Sequence, residues 1–271
     1  MRTIKLTIED QVPSHEHTSK GDQPKWQKGE LWYKADHMGY EGLAEVVAAR
    51  MLRQSSVLSF VSYEPVLVQA ENRTVSGCVS RNFRAPNETL VPLERIHRTH
   101  YGYGLAAALG KIPDAPQKIQ YTVSFLEQVT GLRDFGRYLA TILELDAFLL
   151  NEDRHTNNIA VIRNDITKEY RFCPLFDNGL SLLSDISDYP IDEDVFSCIE
   201  RAKAKPFSPN FAEQAEAANN LYGSDLSFTF RAADIPVLLS GLEEIYAADI
   251  LKRVERVIRE QIRKYGYLFS G

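Results

Sequence analysis

The sequence predicts an α+β chain of two lobes, a small mixed-sheet lobe over residues 1–83 and a mainly helical lobe over residues 84–271. Three observations predict it. Short alternating apolar runs crowd the first segment, stripes of helical period dominate the second, and residues 158–176 alone in that second segment revert to period 2. At 271 residues the chain is long for one compact core and short for two independent domains, so one domain made of two lobes is expected.

In the first lobe Ile4, Leu6 and Ile8 alternate, residues 30–35 form a strand candidate, and residues 65–69 and 75–80 a strand pair. Between them, residues 42–54 carry Leu43, Val46, Val47, Arg50 and Met51 at helical spacing and stop at Ser55-Ser56, giving one helix to lie on that sheet. Arg84-Ala85-Pro86-Asn87 reads as a turn that opens a long polar connection, which places the lobe boundary. Beyond it, residues 123–132 form a short helix, and residues 135–150 present Leu139, Ile142, Leu143, Ala147 and Leu150 on one face. The period then changes. Ile159 and Val161 precede Asn164-Asp165, and Tyr170 and Phe172 follow it, which is a β-hairpin pattern. Residues 243–264 align Ala247, Leu251, Val254, Ile258 and Ile262 as a scaffold helix, with Glu255 and Arg259 paired outside.

A hydrophobic share of 44 % and a charged share of 25 % are those of a soluble globular protein. The net charge of −6, with Lys and Arg dispersed along the chain, argues against direct binding of nucleic acid. No apolar run is long enough to span a bilayer and the amino terminus lacks a signal-peptide core, so a cytoplasmic protein without a membrane partner is expected. Cys78, Cys173 and Cys198 form no C-x-x-C pair and read as buried, reduced thiols.

The chemistry concentrates in Asn151-Glu152-Asp153-Arg154-His155-Thr156-Asn157-Asn158 and in Phe176-Asp177-Asn178-Gly179. An Asp followed five positions later by Asn lets one loop present both side chains, and a hairpin returns the chain with a second carboxylate nineteen residues on. Phosphoryl transfer needs this set: a carboxylate to accept the proton of the acceptor hydroxyl, and two oxygen ligands to hold Mg²⁺ against the phosphates of ATP. Asp153 takes the first role, Asn158 and Asp177 the second. Protein kinases have the same Asp-to-Asn separation and a D-F-G segment after a hairpin, where this chain has D-N-G. Considered singly, each residue is better read as part of a polar turn after a helix, Asp153 as a cap and Asn158 in an Asx-turn; the three-part match carries the reading.

Lys34 ends the strand Leu31-Trp32-Tyr33-Lys34, and a helix with Glu41 and Glu45 follows, the order of the lysine and glutamate that position phosphates in kinases. The two glutamates lie one helical turn apart, and the sequence does not choose between them. Residues 18–25, Thr18-Ser19-Lys20-Gly21-Asp22-Gln23-Pro24-Lys25, stand where a phosphate-covering loop belongs, with one glycine rather than three. An adenine-reading hinge is expected after the strand ending near Val79 and Ser80, with Arg81 and Phe83 as its candidates.

On these residues the sequence resembles the HipA-like serine/threonine kinases, and within them the small stand-alone CtkA type. The family's phosphate loop has a form like S-x-x-G-x-Q-x-K, on which Thr18, Gly21, Gln23 and Lys25 fall, with Thr in place of the first Ser. Lys34 fits its strand lysine, Asp153, His155 and Asn158 fit its D-x-H-x-x-N, and Asp177 fits its metal-binding aspartate. The resemblance implies a bilobal protein-kinase-like fold, ATP and Mg²⁺ as cofactors, and a protein or the chain itself as acceptor. It also implies autophosphorylation at Thr18, with Ser19 as its neighbour, and a toxin role with an antitoxin partner. The phosphate-loop segment lies within twenty residues of Met1, so the amino-terminal extension of full-length HipA toxins is not expected. The D-R-H-x-x-N run is also similar to that of phosphatidylinositol kinases, which makes a lipid or small-molecule kinase the second reading, although the acidic chain suits anionic headgroups poorly. A nucleotide-binding regulator without turnover and a metal-dependent hydrolase using Asp153, His155 and Asp177 are the remaining alternatives.

His155 is expected to brace the loop rather than to react. Arg154 is either paired with a carboxylate or solvated, and Asp146, which interrupts an apolar helix face, is either bonded to the loop or at the surface. Tyr101-Gly102-Tyr103-Gly104 and residues 203–210 read as loops.

Overall fold

The computed structural model describes residues 3–12, 23–70 and 73–269. In chain order the elements are β1 (Thr3–Leu6), β2 (Lys25–Lys28), β3 (Leu31–Ala35), α1 (Glu41–Leu52), β4 (Tyr63–Ala70), β5 (Arg73–Arg81) and β6 (Glu88–Pro92). Helices α2 (Leu93–Tyr101), α3 (Leu105–Leu109), α4 (Ala115–Thr130) and α5 (Phe135–Leu149) follow, then β7 (Ala160–Asn164) and β8 (Tyr170–Phe172). The chain ends in α6 (Val195–Arg201), α7 (Phe211–Tyr222), α8 (Ile235–Leu239) and α9 (Ala248–Lys264). It divides into two compact units, the first made of residues 3–82, 177–202 and 227–269, the second of residues 83–176 and 203–226. The first change of unit falls between Asn82 and Phe83, beside the lobe boundary read from the sequence, and the two later returns of the chain have no counterpart in that reading.

The first unit is built on a five-stranded sheet of order β1-β4-β5-β3-β2. The expected strand pair is an antiparallel ribbon, with Pro65 opposite Cys78 and Gln69 opposite Thr74, while β1 joins its far edge in parallel. Leu6, Trp26, Tyr33, Ala35, Val66 and Val68 form its core. The remainder of the alternating run, from Ile8, turns into a 3-10 turn rather than extending β1. Helix α1 is buried almost all round, which its small and apolar residues Leu43, Ala44, Val46, Val47, Ala48 and Ala49 allow. It approaches the sheet closely at Gly42, where a Cβ would come within 2.7 Å of Gly77, and Gly77 is itself crowded by the neighbouring strand, since a Cβ there would lie 2.1 Å from the Lys34 carbonyl oxygen.

The carboxy-terminal helix begins at Ala248, five residues later than expected from residues 243–264. Its buried face is rotated as well: Val254 and Ile258 are joined by Arg253, Val257 and Gln261, while Ala247 is exposed and Leu251 and Ile262 are half-buried. Arg253 explains the shift, since its guanidinium reaches the Pro190 carbonyl at 2.5 Å and the Cys198 Sγ at 3.3 Å, and those bonds draw a charged residue inside.

In the second unit the expected hairpin is β7 and β8, with Arg163 opposite Tyr170. A third strand, β6, pairs with β7 and occupies what the sequence suggested was a polar connection. The short helix expected over residues 123–132 is the second half of α4, which starts at Ala115, where the Asp114 carboxylate accepts the Gln117 N–H at 2.8 Å and Pro116 opens the first turn. Helix α5 matches its expected span and ends at Leu150, which adopts φ 58°. All three cysteines are buried free thiols. Among the described residues no helix is long and apolar enough to cross a membrane.

Candidate active site

Each unit assembles its own set of the residues singled out in the sequence. In the first, the Lys34 ammonium lies 2.5 Å from Glu45 Oε1 and 2.6 Å from Asp177 Oδ1. The second oxygen of Glu45 accepts the N–H of Asn178 at 2.9 Å, so one fully buried carboxylate ties the strand lysine to the D-N-G turn. Burial would depress the Lys34 ammonium, and the carboxylates of Asp177 and Glu45 outweigh it, holding its pKa well above the ordinary lysine value. Asp177 itself sits at φ 63°, a left-handed conformation in which Asp is among the tolerated residues.

Glu41 is not part of this set. Standing at the first residue of α1, its carboxylate turns back to the amides of His37, Met38 and Gly39, at 2.7–3.3 Å, and caps that turn. The ambiguity between the two glutamates is thus resolved by position along α1, since the residue nearest the helix end meets exposed amides and the one a turn later meets the lysine.

Lys25 stands directly opposite Lys34 across the β2–β3 ladder, which puts two lysines on one face of the sheet. Gln23 precedes β2, its Oε1 3.9 Å from where a Cβ on Gly179 would lie. Its buried Nε2 has no hydrogen-bond partner among the described residues. Thr18, Ser19 and Gly21 lie outside the described residues. Ser80 lies within β5, opposite Trp32 on one side and Tyr63 on the other, and the strand runs one residue past it, through Arg81.

In the second unit, Asp153, His155 and Asn158 share one loop after α5. The Asn158 amide nitrogen donates to the Asp153 carbonyl at 2.8 Å and to Asp153 Oδ2 at 3.2 Å. These bonds use the Asn158 nitrogen and leave its carbonyl oxygen out. His155 Nδ1 accepts the Asn157 N–H at 3.2 Å, which puts the ring proton on Nε2, 3.7 Å from Asp153 Oδ2. Lys205, which the sequence did not single out, brings its ammonium to 3.6 Å from Asp153 Oδ1.

Beneath this loop lies a buried ion pair whose two partners the sequence left open. Asp146, on the last turn of α5, is fully buried and receives Arg154 Nε at 2.9 Å and Asn151 Nδ2 at 3.0 Å. Arg154 Nη1 also donates to the carbonyls of Asn158 and Phe176, both at 3.0 Å, so one guanidinium pins both ends of the hairpin's approach. Burial pushes the Asp146 pKa up while Arg154 opposes it. A second brace comes from Glu94, which accepts from Thr156 Oγ1 at 2.8 Å and from the Ala106 N–H at 2.9 Å. Gly104 is required beside it, because a Cβ there would stand 1.7 Å from Glu94 Oε1.

Asn158 and Asp177, the expected metal ligands, thus belong to different units, and the chain passes from one unit to the other between Phe176 and Asp177. Among the described residues no cluster of three or more His, Cys, Asp or Glu side chains converges as a metal site.

No protein-family model matches the chain. No curated protein matches it either. Among solved structures it is similar to the crystal structure of a Helicobacter pylori proinflammatory kinase, CtkA, with a TM-score of 0.65 at 16 % sequence identity, over 97 % of this chain and 95 % of that one. At that identity the likeness shows the fold, an α+β, kinase-like bilobal one.

Proposed function

We propose that this chain is an ATP- and Mg²⁺-dependent kinase of HipA-like type that phosphorylates serine or threonine hydroxyls. The observation that carries the proposal is the Lys34 ammonium bonded at once to Glu45 and Asp177, within 2.6 Å of each, in a chain whose fold is kinase-like. An ammonium held between a buried carboxylate and a second, half-exposed one is oriented and permanently charged, as a group that faces the phosphates must be. Lys25, on the same face of the sheet, adds a second cation.

The donor set suits magnesium. Asp177 offers a carboxylate and Asn158 a carbonyl oxygen that its own bonds to Asp153 do not use, both hard oxygen ligands. Held by these two residues, the ion would supply positive charge that neutralises the phosphates of ATP. Asp153 would accept the proton of the acceptor hydroxyl. His155, bonded to the Asn157 amide, braces the loop, which disfavours its use as a transition-metal ligand in a hydrolase. Gln23, Gly21 and Lys25 would border the phosphates, and Thr18 and Ser19 are the proposed positions of autophosphorylation.

Incubation with γ-labelled ATP and Mg²⁺, alone and with protein, lipid and small-molecule acceptors, tests the assignment. Label is expected on protein and not on lipid, and it should be lost with Asp153→Ala and with Asp177→Ala. Incorporation that survives either substitution rejects the roles given to them, and label on lipid alone replaces the acceptor class. Mass spectrometry locates the self-phosphorylated residue, and no phosphate on peptides holding Thr18 or Ser19 removes that part. The toxin reading predicts that induced expression arrests growth for the wild type and not for Asp153→Ala.

A further inference from the structure

We propose that Lys205 is a positioning residue for phosphoryl transfer, holding the Asp153 carboxylate turned toward the acceptor hydroxyl. This deepens the kinase reading and rests on it. The two oxygens of Asp153 have different neighbours within the second unit: Oδ2 receives the Asn158 amide at 3.2 Å, and Oδ1 faces the Lys205 ammonium at 3.6 Å. An amide on one side and a cation on the other fix the rotation of the carboxylate.

The segment that delivers Lys205 is anchored on both sides of it. Before it, the Lys203 N–H donates at 2.9 Å to Glu152 Oε1, the side chain adjacent to Asp153. At and after it, the buried amide of Gln214 donates to the Lys205 carbonyl at 3.1 Å and accepts from the N–H groups of Phe207 and Ser208 at 3.4 Å each. The Ala204 N–H closes on the Pro209 carbonyl at 2.9 Å, the Phe207 ring is buried, and Lys118 reaches the Phe207 carbonyl at 3.2 Å. A buried glutamine spent on three backbone groups around one lysine is more than a surface loop requires. The lysine is presented to the carboxylate by built structure.

The charge logic follows from the step itself. The acceptor oxygen forms a bond to the γ-phosphorus and gives its proton to Asp153, while the bond from that phosphorus to the β,γ-bridging oxygen breaks and its electron pair leaves with ADP. Asp153 must enter this step ionised, although it must also tolerate an anionic phosphoryl group nearby. A cation on its far oxygen offsets that repulsion. Protein kinases described by the H-R-D-x-x-x-x-N pattern carry their loop on one segment, whereas here a residue some fifty positions downstream of Asp153 supplies the charge.

ADP release from Mg-ATP by the full chain tests the inference without knowledge of the acceptor. Lys205→Met is expected to lower kcat by about tenfold or more and to leave KM for ATP within about twofold. Lys205→Arg should restore most of the rate. In an Asp153→Ala background Lys205→Met should cost nothing further, a non-additivity that a merely structural loop residue would not show. An unchanged kcat in Lys205→Met, or an equal loss in both backgrounds, overturns the role of Lys205 alone. No ADP release by the wild type, or release unaffected by Asp153→Ala, overturns the kinase reading and this inference together.

Discussion

The two units hold the residues proposed for phosphoryl transfer in opposite ways. In the first, Lys34 is clenched between Glu45, which is 0 % exposed, and Asp177, with both distances at or below 2.6 Å. In the second, Asp153 touches its cation at 3.6 Å, and that cation, Lys205, keeps 34 % of its side chain exposed. The tight ion pair of the second unit lies one layer down, between Asp146 and Arg154, both almost fully buried. A phosphate-facing cation benefits from being immobile and permanently charged. A proton acceptor, the role proposed for Asp153, must be able to change its charge, so its loop is braced by a buried ion pair while the carboxylate is oriented by an amide and a longer, partly exposed cation contact.

The largest expected effect comes from the layer beneath the second loop. Arg154→Met leaves Asp146 buried without its cation and should destabilise the protein by about 3–5 kcal/mol in chemical denaturation. A cost no larger than that of an exposed pair would make the buried brace unimportant and erase the contrast drawn above. Next is Gly104→Ala, which forces Glu94 away from the loop of Asp153 and should cost about 1–3 kcal/mol by the same measurement.

The two glutamates of α1 provide a sharper division. Glu45→Gln should weaken Mg-ATP binding, read by calorimetry, because it halves the carboxylate pair around Lys34. Glu41→Gln should cost stability of roughly 1 kcal/mol through its weakened cap and leave nucleotide affinity as it was. Equal losses of affinity from both would return the choice to where the sequence left it.

A smaller, pH-dependent effect comes from Asp36, at the turn before α1. Burial raises its pKa from 3.8 to about 6, against the bonds it accepts from Gly42 and Tyr246. The folded state therefore binds this proton more tightly than the unfolded chain does. Stability from this group is fully present below about pH 4 and is lost as pH rises through about 6. Asp36→Asn should flatten the dependence of denaturation midpoint on pH across that window, and an unchanged slope would show that Asp36 does not titrate there.

What was legible in the sequence was what local pattern encodes. The ribbon of β4 and β5, the helices α1 and α5, the β7–β8 hairpin and the spacing of Asp153, Asn158 and Asp177 each depend on residues close in the chain. What was not legible depends on partners far away. Strand β6 is a strand because β7, some seventy residues later, pairs with it. Arg154 and Asp146 have no pattern that separates a buried pair from two solvated charges, and Lys205 lies in a Pro-punctuated loop with nothing local to mark it. The buried face of α9 went astray because Arg253 is drawn inside by bonds to Pro190 and Cys198, which a hydrophobic stripe cannot foresee.

The division of labour between the two sets is tested most directly by measuring Mg-ATP affinity and single-turnover transfer side by side for Lys34→Met and Asp153→Ala. The account predicts that Lys34→Met loses nucleotide affinity together with transfer, and that Asp153→Ala keeps its affinity and loses transfer by about a hundredfold or more. Transfer at the wild-type rate by Asp153→Ala, or undiminished affinity and transfer in Lys34→Met, would contradict it.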